Sequence, residues 1–210
     1  MKTLIAIPCM DMVHTQFASS LLGLRLSGEV QFSFLSSSLV YDSRNQLLKK
    51  AVDEDFDRVL WLDSDMTFEP DLFERMSKHM DDGLDFVCAL YVTRKAPFKP
   101  CMIKNIGLEV EGDKATPKAE TYFDYQKNSL FEIEACGFAG VMTSAKLLKS
   151  VGEKYGVAFS PVLGFGEDYS FCLRARKQGF KLYCDSSIKM GHIGLMTFTE
   201  DILEGTQCIK

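Results

Sequence analysis

The chain has 210 residues, 46% of them hydrophobic, which fits one globular domain with a sizeable core. Lys and Arg total 24 against 29 Asp and Glu, and no basic run occurs, so a protein held on nucleic acid by backbone charge is disfavoured. The N-terminal MKTLIAIPCM is too short for a signal-peptide core, and no other apolar run approaches a membrane span, so a cytoplasmic protein is expected.

In chain order, Leu4–Ile7 is a short apolar run stopped by Pro8, a buried strand ending at a loop. Phe17, Leu21 and Leu24 recur at helical spacing, and Val30, Phe32 and Phe34 alternate as a second strand. Leu47, Leu48, Ala51 and Val52 mark a helix, and Arg58–Leu62 reads as a third strand. Glu69-Pro70 opens a helix with Pro in its first turn, carrying Leu72, Phe73, Met76 and Met80. Asp85–Leu90 is a fourth strand. These βα repeats predict an α/β fold with a mostly parallel sheet flanked by helices.

After Tyr91 the periodicity fades. Residues 94–128 read as loops with an edge hairpin, and Phe131, Ile133 and Ala135 as one strand before Gly137. Val141–Thr143 is a further short strand, followed by a helix through Leu147, Leu148 and Val151. Residues 169–178 are helical and end at Gly179, and Lys181–Cys184 is the last strand. The seven cysteines (Cys9, Cys88, Cys101, Cys136, Cys172, Cys184, Cys208) form no CxxC pair and read as reduced core thiols.

Three groups of residues are candidates to carry chemistry. Asp63-Ser64-Asp65 follows an apolar strand directly, at the sheet edge where α/β proteins bind ligands. Alternate residues of an extended segment point the same way, so both carboxylates can face one cation or one ribose. Asp55-Phe56-Asp57 has the same spacing but precedes the strand in a polar stretch, and reads as a turn. Gly164-Phe165-Gly166-Glu167-Asp168 places an acidic pair at a helix start, either as capping or as a carboxylate able to take a proton from a hydroxyl. His192, between Gly191 and Gly194 after the last strand, is a candidate metal ligand, and imidazole with carboxylates suits Mn²⁺ better than an all-oxygen Mg²⁺ site.

With these segments, the Gly137-Phe138-Ala139-Gly140 loop and the start IAIPCMDMVHTQFASSLLGL, the chain resembles the GT-A glycosyltransferases. It is closest to the family-two group and its small bacterial and phage-encoded relatives. The resemblance implies one GT-A domain over residues 1–210, with a nucleotide-binding half at 1–92 and an acceptor and metal-completing half at 93–210. It implies a metal-dependent hexosyl transfer from a nucleotide-sugar donor, a UDP-sugar foremost, using Mn²⁺ or Mg²⁺. Asp63 would meet the ribose or a metal-bound water, Asp65 the cation, and His192 would complete the metal site. Asp168 would be the general base with Glu167 beside it, and Pro8, Arg44 and Asn45 would hold the nucleotide. Gly137 to Gly140 would line the donor-sugar and acceptor cleft.

A Gln/Arg-x-x-Arg/Trp element after the acidic pair is missing, which disfavours processive polymer synthesis, and stereochemistry stays open. A glycan, a protein or a modified nucleobase are all acceptors consistent with the resemblance. A sugar-nucleotide nucleotidyltransferase is disfavoured because Pro8–Gln16 contains no glycine, and a dinucleotide dehydrogenase because GxGxxG is absent. A non-catalytic carbohydrate-binding protein on the same fold would be expected to lose Asp65, Asp168 or His192, and all three are present.

Overall fold

Strands β1 (Lys2–Cys9) and β3 (Arg58–Leu62) are apolar almost throughout, because helices cover both of their faces in the computed structural model of the chain. The structure describes residues 1–112 and 114–194. Leu4, Ala6, Val59 and Trp61 face one core, with Leu47, Leu148 and Phe171. Ile5, Ile7, Leu60 and Leu62 face the other, with Phe17, Phe73 and Met76.

Around these strands the chain adds α1 (Thr15–Leu22), β2 (Glu29–Ser36), α2 (Val40–Asp53), β4 (Met66–Phe68), α3 (Leu72–Asp81) and β5 (Phe86–Leu90). Later come β6 (Met102–Glu111), β7 (Lys114–Thr121), β8 (Leu130–Ile133), β9 (Ala135–Cys136) and β10 (Gly140–Ser144). The described chain closes with α4 (Ala145–Tyr155), α5 (Glu167–Lys177) and β11 (Leu182–His192). The main sheet runs β2-β1-β3-β10-β5-β11-β4, with β8 also on β11. Strands β2, β1, β3, β5 and β11 point one way, and β10 is inserted antiparallel between β3 and β5. The fold is therefore α/β with a mostly parallel sheet, as the βα repeats predict.

Several boundaries differ from the sequence reading. Pro8 does not stop β1, which pairs with β2 through Cys9. Pairing with β3 has already ended at Ala6, so a residue without an N–H is tolerated there. Pro70 lies before α3 rather than in its first turn. The edge hairpin expected within residues 94–128 is there as β6–β7, in a second sheet ordered β7-β6-β9. Strand β7 is almost wholly exposed, so it carries no apolar alternation to reveal it. The single strand expected at Phe131–Ala135 is two: β8 pairs with β11, then the chain crosses at Glu134 and β9 joins β6.

The last strand is the largest correction. It runs to His192, not Cys184. Its first part lies parallel beside β5, its register shifts between Asp185 and Lys189, and its end pairs antiparallel with β4. No described helix is long and apolar enough to cross a membrane. Six cysteines are free thiols, and Cys208 lies outside the described residues.

Candidate active site

The pairing of β4 with β11 creates the first part of the site. His192 lies opposite Met66, one residue beyond Asp65, and the Ile193 N–H donates to the Asp65 carbonyl at 2.8 Å. This brings His192 Nε2 to 3.5 Å from Asp65 Oδ2. On the other side of the ring, Nδ1 lies 2.9 Å from the Val92 carbonyl. A carbonyl only accepts, so Nδ1 carries the hydrogen and, in the neutral ring, Nε2 turns a lone pair toward the carboxylate. Tyr91 packs edge-on against the same ring at 5.7 Å between centroids. The charge facing Asp65 comes from Arg94, whose Nη1 is ion-paired with Oδ2.

Asp63 is held differently. Its backbone N–H donates to Ala139 at 3.2 Å, fixing the end of β3 against the glycine loop. Its Oδ1 accepts from Arg44 Nη2 at 2.8 Å. Arg44 sits in the first turns of α2, 2% exposed, and also reaches Glu167 Oε1 at 3.5 Å. Burial pulls the Arg44 pKa down, but the carboxylates of Asp63 and Glu167 outweigh it and the net shift is upward. Among the described residues no three His, Cys, Asp or Glu groups are gathered to hold a metal ion as they stand. Asp65 and His192 meet, while Asp63 is turned to Arg44.

Asp168 is the second residue of α5, whose N-terminus follows Gly166. Its Oδ1 accepts from the Tyr169 N–H at 2.7 Å. Burial, then the neighbouring Glu167 charge, push its carboxyl up to about 6. Gly137 passes close by, and a Cβ there would lie 3.6 Å from Asp168 Oδ2 and collide with the Tyr91 hydroxyl. Gly140 is buried at the start of β10, where a Cβ would collide with Met190 of β11. These two glycines therefore serve close packing beneath the site, Gly137 under the Tyr91 hydroxyl and Gly140 under the Met190 side chain that reaches across β5.

Beside Asp63 and Asp65 lies a pocket of about 400 Å³, bordered by Pro8, Ser37, Ser43 and Arg94. The Ser43 hydroxyl is buried with no protein partner. Asn45 does not join this pocket. Its side chain donates to the Tyr41 carbonyl and accepts from the Phe159 N–H, and it borders the groove between α2 and α4. Sequence reasoning missed Arg94 and Tyr91. Arg94 and Tyr91 had a signal: they follow β5 at the same sheet edge where Asp63 follows β3.

A family model described as Glycosyl transferase family 2 matches residues 39–144, half of the chain. No curated protein sequence matches it. Among solved structures, A197 from STIV superposes with a TM-score of 0.66 at 20% identity, over 93% of this chain and 87% of that one. GalNAc-T7, solved with UDP, GalNAc and Mn²⁺, gives 0.63 at 10% identity, over 93% and 44%. S. aureus TarS in complex with UDP-GlcNAc gives 0.58 at 14% identity, over 94% and 60%. At these identities the likeness is one of fold, and the chain spans less than two thirds of the latter two.

Proposed function

The chain belongs to glycosyl transferase family 2, and from that premise we propose that it moves a sugar from a UDP-sugar to an acceptor hydroxyl with a divalent cation, Mn²⁺ or Mg²⁺. One observation carries the reading. Asp65 Oδ2 and His192 Nε2 face each other at 3.5 Å, at the rim of a pocket of about 400 Å³. Two acceptors so placed suit a cation between them, and the Val92 carbonyl orients the imidazole as second-shell carbonyls do at metal sites. The pocket volume falls in the range of small-molecule sites. UDP is the nucleotide bound in two of the structural neighbours.

In this reading residues 1–92 hold the nucleotide, and residues 93–210 complete the cation site and face the acceptor. Asp65 and His192 hold the cation. Asp63, fixed by Arg44, faces the ribose or a cation-bound water. A cation there supplies charge neutralisation to the leaving diphosphate. Asp168 takes the proton of the acceptor hydroxyl, while Glu167 keeps its charge balanced through Arg44. Pro8 and Ser43 border the nucleotide. Asn45 acts at one remove, by fixing α2 to the segment at Phe159.

Calorimetry with UDP tests the core of this. UDP should bind in Mn²⁺ and lose most of its affinity in EDTA. Equal affinity in both would remove the cation from the reading. A panel of nucleotide sugars, read by mass spectrometry for released nucleotide, then identifies the donor.

A further inference from the structure

Arg94 follows β5 in a tight loop, where the Thr93 N–H donates to the Lys99 carbonyl at 2.8 Å and the Lys99 N–H to Thr93 Oγ1 at 3.0 Å. Its stem lies against Gly194, where a Cβ would come within 3.2 Å of Arg94 Cβ. Its Nη1 is ion-paired with Asp65 Oδ2 and lies 3.4 Å from the Ile193 carbonyl. Asp65 Oδ2 is also the oxygen that His192 Nε2 faces. The guanidinium therefore holds the one carboxylate oxygen that the proposed cation needs. It borders the pocket shared by Asp63, Asp65 and Ser43. The Arg94 side chain is 47% exposed, and Asp65 is its only carboxylate partner among the described residues.

A half-exposed ion pair is weak, so this guanidinium can leave Asp65 at little cost if it gains another anion. A nucleoside diphosphate in the adjoining pocket offers one, with paired phosphoryl oxygens that the planar guanidinium fork matches better than an ammonium does. We propose that Arg94 is an internal counter-cation of Asp65 that passes to the donor diphosphate, so that divalent cation and donor bind synergistically. The inference rests on the cation and UDP-sugar reading above. Without donor, a divalent ion must displace the guanidinium and leave it unpaired. With donor, the displaced guanidinium finds the diphosphate. Linkage makes the effect reciprocal: the donor strengthens cation binding by the factor by which the cation strengthens donor binding. Arg94 also keeps two acceptors from facing each other uncompensated when no cation is bound.

Calorimetry on the full chain tests this with Mn²⁺ alone, UDP alone and UDP in saturating Mn²⁺. Arg94→Ala should bind Mn²⁺ alone about fivefold tighter, because its internal competitor is gone. The same variant should bind UDP in Mn²⁺ about fivefold or more weaker, because the diphosphate loses its arginine. Arg94→Lys should lie between. Arg94→Gln keeps the stem against Gly194 and replaces the alanine variant if circular dichroism shows the loop disturbed. Lys95→Ala controls for general field effects, since Lys95 makes no ion pair among the described residues, and should shift Mn²⁺ affinity less than twofold. The proposal is overturned if Arg94→Ala and Arg94→Gln leave Mn²⁺ affinity unchanged or weaker, or if Lys95→Ala matches their effect. A wild-type chain that binds UDP equally in EDTA and in Mn²⁺ takes down the cation reading itself, a distinct result seen before any variant is made.

Discussion

Arg44 Nη2 stands 2.8 Å from Asp63 Oδ1 while its Nε reaches Glu167 at 3.5 Å, so one buried guanidinium ties the Asp-Ser-Asp segment to the start of α5. These contacts span 19 and 123 residues of sequence, so the tie exists only in the folded chain. Removing one member of a buried, hydrogen-bonded charge set leaves the others unpaired. Arg44→Met should therefore destabilise by about 3–5 kcal/mol. Arg44→Lys should recover only part, since an ammonium cannot serve two carboxylates in the fork geometry. Urea denaturation measures both, and a loss below about 1 kcal/mol for Arg44→Met would mean that the network carries little stability.

His192→Ala should separate binding from folding. Loss of an outer-shell partner alone typically costs 10–100-fold in metal affinity, so loss of the ligand should weaken Mn²⁺ by at least about tenfold. The cation-free fold loses the hydrogen bond to Val92, an edge contact with Tyr91 and the 3.5 Å contact with Asp65. That is about 1 kcal/mol, or about 2–4 °C in a chain this size. A collapse of the cation-free melting temperature with Mn²⁺ affinity unchanged would make His192 a structural residue.

What the sequence revealed and what it hid divide along physical lines. Strands β1, β3 and β5 are buried on both faces, so their apolar runs stand out without knowledge of their neighbours. Strand β11 was cut short because Asp185 and Ser186 interrupt its apolar pattern. Both are buried, and their polar atoms are met by His79 and Ser129, residues far away in sequence. The structural reading of Asp55-Phe56-Asp57 was legible from position: Asp57 Oδ2 accepts the Lys2 N–H at 2.6 Å and pins the start of β1. Asn45 shows the limit of adjacency. One residue after Arg44 on a helix means a turn of about 100°, which carries its side chain toward α4 rather than the pocket.

Gly137 and Tyr91 form a testable pair. A methyl group at Gly137 would strike the Tyr91 hydroxyl, which is buried beside His192. Gly137→Ala should cost about 1–3 kcal/mol, the usual range for overpacking a tight core. Tyr91→Phe removes the struck oxygen, and the double variant should be less destabilised than the sum of the singles. A coupling energy of about 0.5 kcal/mol or more in that cycle is expected for residues in contact. Additive behaviour would show that the backbone moves aside instead.

Asp168 gives the clearest trade between stability and chemistry. Its carboxyl is raised to about 6 in the folded chain from an unfolded value of 3.8, by burial first and the Glu167 charge second. Between pH 3.8 and about 6 the folded state therefore binds more protons than the unfolded state, and stability falls as pH rises through that window. Above it the ionised carboxylate is a fixed cost, of up to about 3 kcal/mol for a shift this size. Asp168→Asn should relieve that cost, melting higher than wild type at pH 8 and close to it at pH 4. The same change removes a proton acceptor, and transfer should fall by about 10²–10⁴-fold with UDP affinity intact. Wild-type transfer should decline as pH drops through about 6. Arg44 holds this carboxyl down, so Arg44→Met should move the decline to higher pH, whereas Glu167→Gln removes a charge that raises it and should move the decline lower. Glu167→Gln should also cost far less activity than Asp168→Asn. An Asp168→Asn enzyme that is stabilised at pH 8 yet transfers at the normal rate would leave the strained carboxylate without a part in proton transfer.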